Sequence, residues 1–254
     1  MKDRKVAFCT LGCKVNQYET NAMIQEFIKN GYKVVDFDEK ADVYVVNTCT
    51  VTNMADRKSR QMLRKVKELN PYAILAAVGC YAQVSKEELE KIPEIDLILG
   101  TNKKNELLEY VNKMIENREV LNSNIKVEED ITDVLHCEEY VDFGDVTFTE
   151  KTRAVIKVQD GCDRFCSYCI IPFARGHIRS RKPESVISEI TKIAQSGIKE
   201  VVITGIHLAS YGRDFKEENY RLIDLLEDIN KINGIERIRL RFTRANINYW
   251  RIYR

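Results

Sequence analysis

Long hydrophobic runs are missing from this 254-residue chain. Its longest, VYVVN and AILAAVG, fall far short of the roughly 20 apolar residues that carry a helix across a bilayer. A membrane-spanning helix is excluded and no membrane partner is expected. The first ten residues, MKDRKVAFCT, lack the apolar stretch of a secretory signal. A charge excess is missing too. Forty Lys and Arg face 39 Asp and Glu, a net charge of +1, so bulk charge points to no partner. The expected location is cytoplasmic, where thiols stay reduced. Eight cysteines in that setting argue for metal ligation or catalysis instead of a disulfide framework.

What is present is ordinary globular composition, 44% hydrophobic and 31% charged, arranged as two stretches of alternating strand and helix signals. KVAFCT, ADVYVVNTC, YAILAAVGC and IDLILG read as strands. NQYETNAMIQEFIKNGY, the segment from Met54 to Leu69 and NELLEYVNKMIEN read as helices, the second stopped by Pro71. Short apolar runs alternating with helices predict an α/β, doubly wound parallel-sheet domain over residues 1–117. Residues 118–150 are acidic and weakly periodic, and read as a linker with a strand or two. From 151 the alternation resumes. TRAVIKVQ, KEVVITG and IERIRL read as strands, with helices in ESVISEITKIAQSG and YRLIDLLEDINKING. These are β/α units with right-handed crossovers.

The cysteines fall into two sets. Cys13, Cys49 and Cys80 each follow a predicted strand of the first domain. In an open parallel sheet those strand ends gather on one edge, where ligands bind. A single buried cysteine is a small hydrophobe, but three at equivalent ends form a set. Cys9 lies within a strand and reads as core. Cys137 sits beside His136 with no further ligands nearby. The second set is GCDRFCSYC, which spaces Cys162, Cys166 and Cys169 as C-x₃-C-x₂-C. A structural zinc site closes with four ligands, and no fourth cysteine is near. Three thiolates on a 4Fe–4S cube leave one iron open, which suits a site that must bind a reactant.

C-x₃-C-x₂-C after the first strand of a β/α series resembles the radical S-adenosylmethionine enzymes. The longer stretches QDGCDRFCSYCIIPFARGHIRSR, TLGCKVNQYET, NTCTVTNMADRKSRQ and GCYAQ resemble the methylthiotransferases within that superfamily, over nearly all of residues 5–240. The resemblance implies a second domain, residues 151–254, that is the first half of a partial β/α barrel. It implies two 4Fe–4S clusters, one on Cys162, Cys166 and Cys169 and an auxiliary one on Cys13, Cys49 and Cys80. It implies S-adenosyl-L-methionine as cofactor, with Tyr168 near its adenine and the backbone around Thr204 and Gly205 at its amino group. The sequence here reads Gly205-Ile206-His207 where the superfamily has a Gly-Gly-Glu pattern. No general base stands out, and none is required.

CKVNQYET and TGIHLASYGRD look most like the type that converts N6-threonylcarbamoyladenosine at position 37 of tRNA to its 2-methylthio derivative. The alternatives are the types that act on isopentenyladenosine in tRNA or on a ribosomal protein aspartate, and an iron–sulfur protein without catalysis. The implied partners are the tRNA anticodon loop and an electron donor such as flavodoxin or ferredoxin.

Two basic stretches accompany these motifs. Arg57, Lys58, Arg60, Arg64, Lys65 and Lys67 lie along one predicted helix, as a solvated face or as phosphate contacts. Arg175, Arg179 and Arg181 lie just past the cysteine loop, where Arg175 is expected to reach the cofactor carboxylate or a phosphate. His177 and His207 read as polar lining. After RIRL the chain departs from the family pattern. Arg237 to Arg254 carries six arginines, no acids and the only tryptophan, Trp250. A frameshifted end, an incomplete barrel and a chain that does not complete the reaction are the expectation; a natural RNA-gripping tail is the alternative.

Overall fold

The computed structural model describes residues 4–121, 128–148, 152–216 and 219–241. Residues 242–254, with the arginine-rich tail and Trp250, lie outside them. The chain forms two compact units, Met1–Val134 and Leu135–Arg254.

The first unit runs β1 (Lys5–Thr10), α1 (Lys14–Lys29), β2 (Lys33–Val35), β3 (Val43–Thr48), α2 (Asn53–Leu69), β4 (Ile74–Gly79), α3 (Cys80–Val84), α4 (Lys86–Leu89), β5 (Leu97–Leu99), α5 (Leu107–Leu121) and β6 (Glu128–Asp130). Its six strands are all parallel, in the order β2-β1-β3-β4-β5-β6. Alternate residues of the central strands feed two cores, which is the signature of a sheet covered on both faces. Val43, Val45, Ala76 and Val78 pack with Met23 and Phe27 of α1 and with Val111 and Met114 of α5. Tyr44, Val46, Leu75 and Ala77 pack on the other face with Leu63 and Val66 of α2. The strand order reverses between β1 and β3, which makes the crevice beyond their carboxyl ends the ligand-binding point of such folds.

The expected domain end at 117 falls inside α5, and the sheet continues to β6. β6 has the sequence Glu-Glu-Asp, with no apolar alternation to read, because it is an edge strand whose side chains pair with Lys113, Lys86, Lys103 and Tyr110 instead of entering the core. Residues 131–148 of the expected linker are described as well, and they make contacts of their own. In the second unit Asp142 and Asp145 form ion pairs with Arg181 and Lys192.

The second unit contains β7 (Ala154–Lys157), β8 (Gln159–Asp160), α6 (Ile171–Arg175), β9 (Arg179–Ser180), α7 (Pro183–Gln195), β10 (Glu200–Thr204), α8 (Leu222–Ile229) and β11 (Arg237–Leu240). β7, β10 and β11 form a parallel sheet in the order β11-β10-β7. Ile156, Val201 and Ile203 pack on Val186, Ile190 and Ile193 of α7 and on Leu225 and Ile229 of α8. Pro183 opens α7 with its fixed φ. Gly197 follows its end at φ +89°, where a side chain would be strained. The short antiparallel pair β8–β9 was not legible in sequence, and it brackets the cysteine loop.

Candidate cysteine sites at the strand ends

In the first unit the three cysteines occupy equivalent places. Cys13 is the residue before α1, Cys49 follows β3, and Cys80 opens α3 directly after β4. Cys49 and Cys80 are buried and Cys13 is half-buried. The first two loops touch. A Cβ on Gly12, whose φ is +93°, would lie 2.5 Å from Cys49 Sγ, so only glycine lets the residue before Cys13 rest on the Cys49 thiol. Gly79 repeats the device before Cys80. At φ +103° its missing Cβ would meet Asn47 Oδ1 at 2.6 Å and the Thr48 carbonyl at 2.7 Å.

Side-chain amides and a hydroxyl tie these loops together. Asn16 Nδ2 donates to the carbonyls of Leu11 (2.8 Å) and Thr48 (3.0 Å), one on each side of the β1/β3 crevice. Asn47 Nδ2 donates to the Asn16 carbonyl and to Thr20 Oγ1, both at 3.0 Å. Thr48 Oγ1 donates to the Val78 carbonyl (2.7 Å) and accepts from the Ala82 N–H (3.3 Å), which joins the Cys49 loop to the helix that begins with Cys80. Lys104 and Glu19 form a buried ion pair at 2.5 Å on α1 and the turn after β5.

Cys9 is half-buried against the α2 face of the core. Burial pushes its thiol pKa up, opposed by nearby Lys58 and Lys65. That is the profile of a packed thiol, since reactivity needs the thiolate.

The second site is the loop 161–178. Its base is the β8–β9 ladder, reinforced by the Cys162 N–H donating to the Gly176 carbonyl at 3.0 Å. Gly161 has φ +69°, and a Cβ there would stand 1.7 Å from the His177 carbonyl oxygen. Buried Asp160 organises the base. Lys157 Nζ lies 2.6 Å and an Arg175 guanidinium nitrogen 3.0 Å from its Oδ2, and its Oδ1 accepts from the Gly161 N–H. Asp163 accepts from the Ile178 N–H and pairs with His177 Nδ1 at 2.7 Å. Within the loop the Cys169 N–H donates to the Cys166 carbonyl at 2.9 Å. Cys162, Cys166 and Cys169 are all half-buried. Phe165 lies between the first two cysteines at φ +42°, a rare conformation for a bulky residue.

Gln159 couples this loop to the end of β10. Its Nε2 donates to the carbonyls of Asp160 (2.6 Å) and Gly161 (2.7 Å), and its Oε1 accepts from the His207 N–H (2.8 Å). A Cβ on Gly205 would be 2.8 Å from that Oε1, so glycine there permits close approach. Thr204 Oγ1 is buried with no hydrogen-bond partner among the described residues, an orphan that marks this strand end as a place for a polar ligand.

Residues 5–100 match UPF0004, described as an uncharacterized protein family, and residues 156–249 match the radical SAM superfamily. The chain carries a radical SAM domain. Among curated relatives, it is 43% identical over 235 residues to the threonylcarbamoyladenosine tRNA methylthiotransferase MtaB of Bacillus subtilis (strain 168), covering 92% of this chain and 50% of that protein. It is 46% identical over 236 residues to the MtaB of Aquifex aeolicus (strain VF5), covering 93% and 55%. The chain thus spans about half the length of these relatives. Among solved structures, the radical S-adenosylmethionine methyltransferase TsrM from Kitasatospora setae superposes with a TM-score of 0.57 at 15% identity, over 89% of this chain and 50% of that one. That likeness concerns fold alone.

Tyr168 is 79% exposed on the cysteine loop. Arg175 is fully buried, with its guanidinium on Asp160, so the contact seen is inside the loop base. Arg179 donates to the Arg175 carbonyl at 2.6 Å, and Arg181 pairs with buried Glu189 at 2.6 Å. These arginines brace the loop. His207 is buried with Nδ1 at 2.6 Å from Ser210 Oγ, and His177 is held by Asp163. Gln159, Asp160 and Asp163 were missed. The only signal was their position flanking the motif, in VQDGCDR. Among the described residues no three His, Cys, Asp or Glu side chains close around a single metal ion, and no helix is long and apolar enough to cross a membrane.

Proposed function

We propose that the chain belongs to an enzyme that converts N6-threonylcarbamoyladenosine at position 37 of tRNA to its 2-methylthio derivative. The observation that carries this is the pairing of two separate cysteine sets, one at the carboxyl ends of three parallel strands and one on the single loop that follows β7 and β8. The relatives named for this reaction are 43% and 46% identical to this chain over 92% and 93% of its length, stretches long enough to take in both sets.

The donor chemistry suits the implied groups, while among the described residues no three of these side chains close around one metal ion. Both sets are thiols, the donors that iron–sulfur clusters take. Glycines at Gly12, Gly79 and Gly161 hold open positions that a Cβ would fill, and the Thr204 hydroxyl lacks a protein partner among the described residues. Cys162, Cys166 and Cys169 would hold one 4Fe–4S cluster, and Cys13, Cys49 and Cys80 a second. When bound, the cluster and S-adenosylmethionine supply the radical chemistry that an unactivated aromatic C–H bond requires. The protein's part is placement. Gln159 keeps the cysteine loop in register with the strand end at Thr204 and Gly205, where the cofactor's amino group would lie. The Asp160 cluster fixes the entrance to the loop, and exposed Tyr168 is available to the adenine. The Asn16–Asn47–Thr48 network holds the three strand-end loops of the first unit at fixed spacing. Reducing electrons would come from a flavodoxin- or ferredoxin-type donor in the cytoplasm.

Mass spectrometry of tRNA nucleosides from cells lacking the gene tests the reading. The methylthio form of threonylcarbamoyladenosine should disappear while methylthio-isopentenyladenosine persists. Loss of the isopentenyl product with retention of the threonylcarbamoyl product would overturn the substrate assignment.

A further inference from the structure

Helix α2 starts four residues after Cys49 and presents an unusual outer face. Thr52 caps it, its Oγ1 accepting from the Ala55 N–H at 3.2 Å, which fixes where the helix leaves the cysteine edge. Ser59, Leu63 and Val66 are its buried stripe. Opposite that stripe, at helical spacing, lie Met54, Arg57, Gln61 and Arg64, with exposed Lys58 on the flank. Met54 is 74% exposed and neighbouring Val51 54%, although both sit beside the cysteine loop and not on an outlying turn. The cations of this helix divide into two kinds. Arg60 is held by Glu88, Lys65 by Asp38 and Lys67 by Asp96. Arg57, Lys58 and Arg64 are exposed and make no ion pair among the described residues. The acids of the helix, Asp56 and Glu68, stand at its two ends.

A solvated face needs neither bare apolar side chains at its start nor cations left outside the available pairs. The two features together suit an RNA strand, whose phosphates seek Arg and Lys and whose bases seek an apolar platform. From Met54 to Arg64 is ten residues, about 15 Å along the axis. The strip therefore leads from the Cys49 edge outward over several nucleotides of chain.

We propose that the outer face of α2 is a nucleic-acid docking strip: Arg57, Lys58 and Arg64 contact phosphates of the substrate RNA, and Val51 and Met54 underlie a base beside the strand-end cysteines. This rests on the tRNA reading above and extends it to a surface. The partner is defined by chemistry, a single-stranded or looped polyanion. An acidic protein would be recognised by the cations alone and would leave the apolar platform without a use.

The test measures binding of an anticodon stem-loop RNA to the chain by fluorescence anisotropy across salt concentration. Arg57→Gln, Lys58→Gln and Arg64→Gln are combined in one variant. Lys29→Gln, Lys33→Gln and Lys40→Gln, exposed cations elsewhere on the first unit, form a charge-matched control. Three lost phosphate contacts lower the slope of log K against log salt by roughly 2 to 3. Over a fourfold rise in salt the wild-type affinity should fall about 16- to 64-fold more than that of the strip variant, with the control close to wild type. A Met54→Ser variant should weaken binding at every salt concentration without changing the slope. Equal slopes in the strip variant and wild type, or equal losses in strip variant and control, would overturn the strip and leave the tRNA reading standing. No salt-dependent RNA binding by the wild-type chain would overturn both. Circular-dichroism melting of each variant checks that the loss is not unfolding.

Discussion

Removing the amide of Asn16 is the sharpest test of how the first cysteine site is held. The side chain is fully buried, and its single Nδ2 serves the carbonyls of Leu11 and Thr48 at 2.8 and 3.0 Å. Those carbonyls belong to the two loops that carry Cys13 and Cys49. In Asn16→Ala both lose their side-chain donor. An unsatisfied buried polar group costs about 1–3 kcal/mol, and Leu11 and Thr48 are both buried. An overall loss of about 2–4 kcal/mol follows, a large share of the 5–15 kcal/mol that holds a typical domain together. With a urea m-value of about 2 kcal/mol per molar, the midpoint falls by about 1–2 M. Asn16→Asp separates this account from simple loss of volume. Aspartate has nearly the same shape but only acceptor oxygens when ionised, which would face two carbonyls. It should destabilise at least as much as alanine. Urea unfolding followed by circular dichroism, with hydrogen exchange at α1 and β3 to locate the change, decides it. Refutation would be an alanine variant within 0.5 kcal/mol of wild type, or an aspartate variant more stable than alanine.

Other expectations follow from the same geometry. Changing Cys162, Cys166 and Cys169 together to Ala should remove one cluster's iron, changing Cys13, Cys49 and Cys80 should remove another's, and the two losses should add in the six-fold variant; iron counts that do not add would refute independent sites. Gly161→Ala forces a Cβ to 1.7 Å from the His177 carbonyl at φ +69°, so strain and overpacking together should cost about 2–5 kcal/mol, and a variant that melts and binds iron like wild type would contradict the loop geometry. Hydrogen bonds from Arg237 and Arg239 lower Glu200 from 4.5 to about 2. A depressed carboxylate stabilises above its unfolded pKa and is lost as pH falls through the folded one, so Glu200→Gln should flatten the pH dependence of stability between about 4.5 and 2. A melting temperature with the same slope in that window for both proteins would count against the β10–β11 ion pairs.

The sheet of the first unit was readable because its strands are buried on both faces. Val43–Val46 and Ile74–Val78 are continuous apolar runs, and a run of that length between helices has few other folds. What escaped was whatever burial does not encode. β2 and β6 are three-residue edges, and β8 and β9 are two-residue ladders made by backbone. The cysteines were readable for a different reason: their chemistry is rare enough that spacing and position carry information. Their supports were not. Asn16, Asn47, Gln159 and Asp160 are ordinary polar residues, and only three-dimensional proximity shows that each serves two loops.

The arginines after the cysteine loop show the same limit from the other side. In sequence Arg175, Arg179 and Arg181 look like a basic cluster offered to an anion. In the fold acids meet them: buried Asp160 faces Arg175, and buried Glu189 and exposed Asp142 face Arg181. Burying a charge without its partner costs several kcal/mol, so a fully buried arginine must be matched from within the protein, and its matching partner can lie anywhere in the chain. An exposed cation has no such obligation. It is the arginines and lysines that the fold leaves unmatched, as on α2, that can meet a substrate. Basic residues in this chain therefore sort by burial: those beside the cofactor loop build the loop, and those on the open helix face outward from the strand-end cysteines.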